Sequence, residues 1–206
     1  MKNMKKALFS ILCVAFCVVI FACASGGGGG GGGAAATPGA VISGNWTYKE
    51  KNDSVDGGSS TIAQTVAEET IDGVKFTTYK FKGVVTNKTQ YGLAEVGITP
   101  DDETLAFFKN AKAISFKILG DGRPYIVEAP ISTVQDWGFH RYKIETEPGK
   151  VMEFKIEMRM FMQPSWANAV KFNQQRLTML RLQTVNAAEG GVGPFEFKIW
   201  DLKVYQ

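Results

Sequence analysis

From residue 41 onward the chain consists of short runs in which apolar and polar residues alternate. Alternation at period two marks strands that bury one face and wet the other. The cleanest run is 151–162, where Met152, Phe154, Ile156, Met158 and Met160 alternate with Glu153, Lys155, Glu157 and Arg159. In 113–129, Ile114, Phe116 and Ile118 alternate with Ser115, Lys117 and Leu119, Gly120-Asp121-Gly122 interrupts, and Tyr125, Val127 and Ala129 alternate with Ile126 and Glu128. Alternation on both sides of a glycine-rich turn predicts a β-hairpin. Further strands are predicted over 45–48, 60–66, 74–85, 91–98, 139–145, 176–184 and 194–205, with a turn at Ile71-Asp72-Gly73. Parity changes within 74–85, which predicts a bulge near Thr77-Thr78, and again within 194–205, where Phe195, Phe197 and Ile199 give way to Leu202 and Val204.

One helix interrupts this series. Thr99 is placed to cap it, Pro100 suits a first helical position, Asp101, Asp102 and Glu103 complement the dipole, and Leu105, Phe107 and Phe108 supply a buried side before an end near Asn110. Many short strands, glycine-rich turns and a single two-turn helix predict an all-β fold, an antiparallel jelly-roll β-sandwich. The span 41–206 is long enough for one domain burying on the order of 70% of its unfolded surface.

The first forty residues read differently. Lys2, Lys5 and Lys6 precede an apolar run over 7–22, too short to span a bilayer and ending in small residues, as an export signal does. Ile20-Phe21-Ala22-Cys23 resembles the lipobox of bacterial lipoproteins, which implies a signal peptide over 1–22, lipidation of Cys23 and a cell-envelope protein anchored to the membrane by lipid alone, periplasmic or surface-exposed. The alternative is an ordinary cleaved signal with a free Cys23. A flexible Gly/Ala-rich tether over 23–40, built on eight successive glycines, separates this segment from the domain.

Removing 1–22 changes the bookkeeping. The whole chain has 23 Lys+Arg against 20 Asp+Glu, but the signal carries three lysines and no acid, so the remainder is balanced at 20 against 20. A nucleic-acid partner, which would require a basic surplus, is excluded. Cys13 and Cys17 lie within the signal, so no disulfide framework and no cysteine-based metal site can form in the mature chain.

The ordered set Ile114-Ser115-Phe116-Lys117, Gly120-Asp121-Gly122-Arg123-Pro124-Tyr125, Gln163-Pro164-Ser165-Trp166, Val170-Lys171-Phe172-Asn173, Leu180-Arg181-Leu182-Gln183-Thr184 and the terminal strand is similar to the complex I intermediate-associated protein family and to family-eleven carbohydrate-binding modules. The resemblance spans 46–206. It implies a galactose-binding-like β-sandwich whose concave face often holds sugar, or, on its assembly branch, a protein-interaction scaffold or surface adhesin meeting an envelope or host protein.

Catalysis is not indicated. His140 is the only histidine on which an acyl-transfer triad could be built, and the neighbouring carboxylates Glu68-Glu69 and Asp101-Asp102 are adjacent rather than opposed across a cleft. No cofactor is indicated either. Oxygen ligands around Asp53, Asp56 or Asp201 would suit a structural Ca2+, but they form no recognisable calcium loop. Binding an oligo- or polysaccharide requires flat aromatic rings beside planar hydrogen-bonding groups. Tyr91, Tyr125, Trp137 and Trp166 supply rings near turns or polar segments, and Arg123, His140, Gln163, Arg181 and Gln183 supply donors and acceptors. These nine are the candidate ligand-binding residues, and Asp136-Trp137-Gly138 is predicted to be the most exposed aromatic.

Overall fold

The structure is a computed structural model describing residues 39–186 and 191–206. The expected signal peptide, Cys23 and nearly all of the tether lie outside the described residues. In chain order the strands are β1 (Val41–Ile42), β2 (Trp46–Asn52), β3 (Thr61–Ile71), β4 (Val74–Val85) and β5 (Leu93–Pro100). Helix α1 (Asp102–Phe108) follows, then β6 (Ala113–Leu119), β7 (Pro124–Ala129), β8 (His140–Glu145), β9 (Val151–Glu157), β10 (Leu180–Val185) and β11 (Gly193–Tyr205).

They form two antiparallel sheets. The first has the order β3-β4-β11-β6-β9, with β1 pairing the end of β11, and the second has the order β2-β5-β10-β7-β8. Each lays one parity of its strands against the other sheet. Phe81, Ile114, Ile118, Phe197 and Val204 come from the first sheet; Val96, Ile98, Tyr125, Ile144, Leu180 and Leu182 come from the second. Tyr48 stacks on Tyr79 at 3.8 Å across the sandwich, and Tyr125 meets Phe197 edge-on at 4.9 Å. Each large side chain so buried contributes about 1.5–3 kcal/mol, and this seam holds the fold without disulfides.

The fold is the jelly-roll-like sandwich that the alternation predicts, and several local expectations are corrected. The predicted hairpin over 113–129 does not form: β6 pairs β11 and β9 in one sheet, whereas β7 pairs β10 and β8 in the other. The Gly-Asp-Gly turn is a corner that carries the chain between sheets. Asp121 organises it, its carboxylate accepting from Arg123 N at 3.0 Å, the Tyr125 hydroxyl at 3.0 Å and Glu196 N at 2.8 Å.

No bulge interrupts β4, whose register with β3 is continuous from Thr61↔Val84 to Ile71↔Val74. With that register unbroken, Phe76 has the opposite parity to the core-facing Tyr79 and Phe81, so it lies on the outer face of the sheet and meets Lys117 there. The parity change in β11 is a true register shift between Trp200 and Lys203, with Asp201 at φ 56°. The cap of α1 is Asp101, which accepts from Thr104 N at 2.8 Å, while Thr99 and Pro100 finish β5. Strand β9 ends at Glu157, and the 3-10 turn that follows turns Met160 out to solvent.

Candidate functional site

Wherever one parity of the second sheet enters the core, the other must face outward. The positions left facing out are Lys49 and Lys51 on β2, Glu95 and Gly97 on β5, Arg181 and Gln183 on β10, Ile126 and Glu128 on β7, and Arg141 and Lys143 on β8. Two registered rows cross the sheet: Lys49, Gly97, Arg181, Glu128, Arg141, and beside it Lys51, Glu95, Gln183, Ile126, Lys143.

An outward face would ordinarily be wet, yet Glu95 and Glu128 are each only 5% exposed. The connection 130–139 between β7 and β8 lies over them. It brings Phe139 onto the Arg181 guanidinium at 4.8 Å and Trp137 to within 5.4 Å of the Lys51 ammonium. Arg181 holds the middle of the face, with Nε 3.5 Å from Glu95 and Nη1 3.8 Å from Glu128. These distances exceed those of direct hydrogen bonds, and burial dominates the titration of Glu128: desolvation pushes its carboxyl up to about 7, against the opposing pull of Arg181 and with the help of Glu95.

The rim is built by two loops locked together. Asp136 accepts from Gly138 N at 3.0 Å and from Asn168 N at 2.6 Å, and these bonds hold its carboxyl below the usual range. Gln163 donates to Gly138 O at 2.7 Å and accepts from Val170 N at 2.7 Å. Ala167 packs so closely on Gly138 that a Cβ there would sit 2.2 Å from the alanine methyl. Trp137 is thereby held at φ 64° with its indole 67% exposed, and Trp166, on the partner loop, is 63% exposed. Met162 bridges to Arg141 through backbone hydrogen bonds and extends the same face beyond β8.

Measured against this face, the nine candidate residues separate. Arg181, Gln183 and Trp137 belong to it, Trp166 stands on its rim, and Gln163 ties the rim loops together. Tyr125 and His140 are corrected. Tyr125 is 0% exposed, wedged between the sheets with its hydroxyl on Asp121, so it has no free ring face to offer a ligand. His140 shares the core parity of β8, is buried against Phe172 at 4.7 Å, and burial lowers its pKa.

Arg123 stands at the corner rather than on this face, and binds it to the start of β11 by donating to Gly193 O at 2.9 Å, Pro194 O at 2.7 Å and Gly191 O. Tyr91 is exposed but lies in the separate β4–β5 connection beside Asn186. Of the three suggested calcium ligands, Asp53 and Asp201 are engaged by protein groups. Asp53 accepts from Ser60 N and Oγ, and Asp201 faces Lys203 at 2.8 Å and Lys117 at 3.9 Å. Among the described residues no cluster of three potential metal ligands occurs.

Sequence reasoning missed Glu95, Glu128, Arg141, Lys51 and Phe139. The signal was present for the acids: a lone glutamate in each of the apolar runs Leu-Ala-Glu-Val-Gly-Ile and Tyr-Ile-Val-Glu-Ala.

Two antiparallel sheets, a corner-crossing chain and a polar outer face rimmed by aromatic loops define an antiparallel, jelly-roll-like β-sandwich domain. Within that class, the family model for complex I intermediate-associated protein 30 (CIA30) matches residues 43–199, and the chain belongs to this family. The fold is similar to that of the family 11 carbohydrate-binding module of the cellulosomal cellulase Lic26A-Cel5E of Clostridium thermocellum. That match has a TM-score of 0.52 and 12% identity, and covers 82% of this chain and 95% of the module. An exo-β-agarase structure matches with a TM-score of 0.40 and 13% identity over 68% of this chain and 22% of the agarase. Among curated proteins, none matches the chain in sequence.

Proposed function

We propose that this domain is a non-catalytic carbohydrate-binding module that takes an oligo- or polysaccharide on the outward face of the second sheet. The observation that carries the reading is the pairing of an immobilised, exposed Trp137 with the polar outward face of the second sheet, where Lys51 is exposed beside it and Arg181 and Gln183 stand on β10. An indole plane suits the C–H face of a pyranose, and planar amide, carboxylate and guanidinium groups suit its hydroxyls. The binding-module neighbour in fold adds to the plausibility of a sugar ligand. In this reading the signal peptide and a lipidated Cys23 tether the module to the cell envelope, and the membrane is reached through the lipid alone.

A glycan array on the purified protein tests the reading, with Trp137→Ala as the control. Saturable binding to a sugar class, weakened in the variant, is the expected result; a blank array from a folded sample removes it. The second reading, a protein-interaction or assembly module, is favoured by one feature, the exposed apolar Met162 and Trp166 at the rim. One stoichiometric protein recovered by crosslinking on whole cells, lost in Trp166→Ala, would displace the first reading.

A further inference from the structure

The chain after residue 22 carries as many acids as bases, so a charge imbalance on any one face is informative. On the outward face of the second sheet, Lys49, Lys51, Arg141, Lys143 and Arg181 stand against Glu95, Glu128 and Glu145. Among these strand residues the cations exceed the carboxylates by two, and the carboxylate on the rim, Asp136, is held by Gly138 N and Asn168 N. The charges are also sorted. Glu95 and Glu128 are buried beneath the 130–139 loop around Arg181, and Lys143 is held by Glu145 at 2.8 Å. Lys49 and Lys51, on edge strand β2, are exposed to solvent, and Lys51 sits beside the indole on which a sugar would stack. A neutral sugar would leave these ammonium groups with water. A charged substituent on the stacked ring or its neighbour would meet Lys51 within the reach of one side chain, at a modest cost, since an exposed cation–π contact contributes only about 0.5–1 kcal/mol.

We infer that the glycan bound here is acidic: a polysaccharide whose sugars carry carboxylate or sulfate groups, stacked on Trp137 and met at its charges by Lys49 and Lys51. This rests on the carbohydrate reading and makes it specific. The acidic ligand restores charge balance to a face that the chain itself leaves positive, while the buried Glu95–Arg181–Glu128 set lies deeper, beneath the 130–139 loop.

The experiment measures binding of the full chain, purified in detergent, to two matched pairs: polygalacturonate and its methyl ester, and dextran sulfate and dextran. The expected result is at least about tenfold tighter binding to an acidic member than to its neutral partner. That affinity should fall as NaCl rises from about 50 to about 300 mM. The Lys49→Ala/Lys51→Ala double variant should lose about tenfold for the acidic chain with an unchanged melting temperature, because both side chains are exposed. The two pairs separate carboxylate from sulfate recognition. Equal binding to a neutral partner overturns the acidic assignment and leaves the carbohydrate reading standing. Equally tight binding of a single-stranded oligodeoxynucleotide also overturns it, by reducing the effect to unspecific charge. No binding to these chains or to any array glycan removes both inferences together.

Discussion

At the scale of single residues, the site depends on one side chain held in an unfavourable backbone conformation. Trp137 sits at φ 64°, a region that non-glycine residues enter at a cost and that persists only where the surroundings enforce it. Here Asp136, bonded to Gly138 N and Asn168 N, does the enforcing. Trp137→Ala should lower glycan affinity about tenfold or more by calorimetry, while the melting temperature stays within about a degree because the ring is exposed. Unchanged affinity would take the indole out of the site.

Glu128 makes a prediction of the opposite kind, on stability. Its folded pKa, about 7, lies above the ordinary 4.5, so its contribution is fully present below pH 4.5 and is lost as pH rises towards 7. The full loss is about 3 kcal/mol. Several exposed acids, including Glu69 and Asp101, have lowered pKa values and act in the other direction, so the readout is a difference between proteins. Relative to wild type, Glu128→Gln should gain about 3 kcal/mol in chemical denaturation between pH 4.5 and pH 8. Parallel stability profiles would mean that the carboxyl is not buried as described. Neither residue was equally legible in the sequence. Trp137, flanked by Asp and Gly, advertises exposure, whereas the burial of Glu128 depends on a loop folding back over a sheet, which no local pattern encodes.

At the scale of elements, the decisive feature is the corner at 120–123. A Cβ on Gly120 would lie 2.5 Å from the Thr146 side chain, which itself accepts from Gly122 N and donates to Arg123 O. Gly120→Ala should therefore cost about 1–3 kcal/mol by forcing the threonine aside. Asp121→Ala, which leaves the buried Tyr125 hydroxyl and Glu196 N without their acceptor, should cost about 2–4 kcal/mol. Urea titrations of both variants check the pair; a neutral Asp121→Ala would show that Arg123 and Thr146 hold the corner without it. The strands on either side were legible, and so was the sandwich, because period two reports which residues are buried. It does not report which strand is the neighbour. An Ile-Ser-Phe-Lys-Ile run followed by Gly-Asp-Gly reads identically whether the chain folds back on itself or crosses to another sheet. The same blindness misplaced Tyr125: a tyrosine beside a polar turn looks exposed until the turn proves to be a corner and the ring falls inside the seam.

At the scale of the whole molecule, the two sheets divide the labour, one parity of each making the core and the outward parity of the second making the face. Because Glu128 is part of that face, the charge presented to a ligand changes with pH. The groups turned towards it are Arg181 and Gln183 on β10, Arg141 on β8 and Glu95 on β5, with Phe139 above from the loop. His140, also on β8, faces the core, and burial lowers its pKa below the ordinary 6.5, so it remains largely uncharged above that value. Between pH 8 and pH 6, then, Glu128 gains most of a proton, and the surplus of two positive charges approaches three. A unit charge about 8 Å away through solvent-like surroundings is worth on the order of 0.5 kcal/mol. Affinity for an acidic glycan should therefore rise about two- to threefold as pH falls from 8 to 6, and affinity for a neutral glycan should not change. Glu128→Gln should hold the acidic-glycan affinity near its low-pH value throughout. Isothermal titration of wild type and variant at both pH values decides the matter, since a pH dependence that survives in Glu128→Gln must come from another group and would detach the buried carboxylate from recognition.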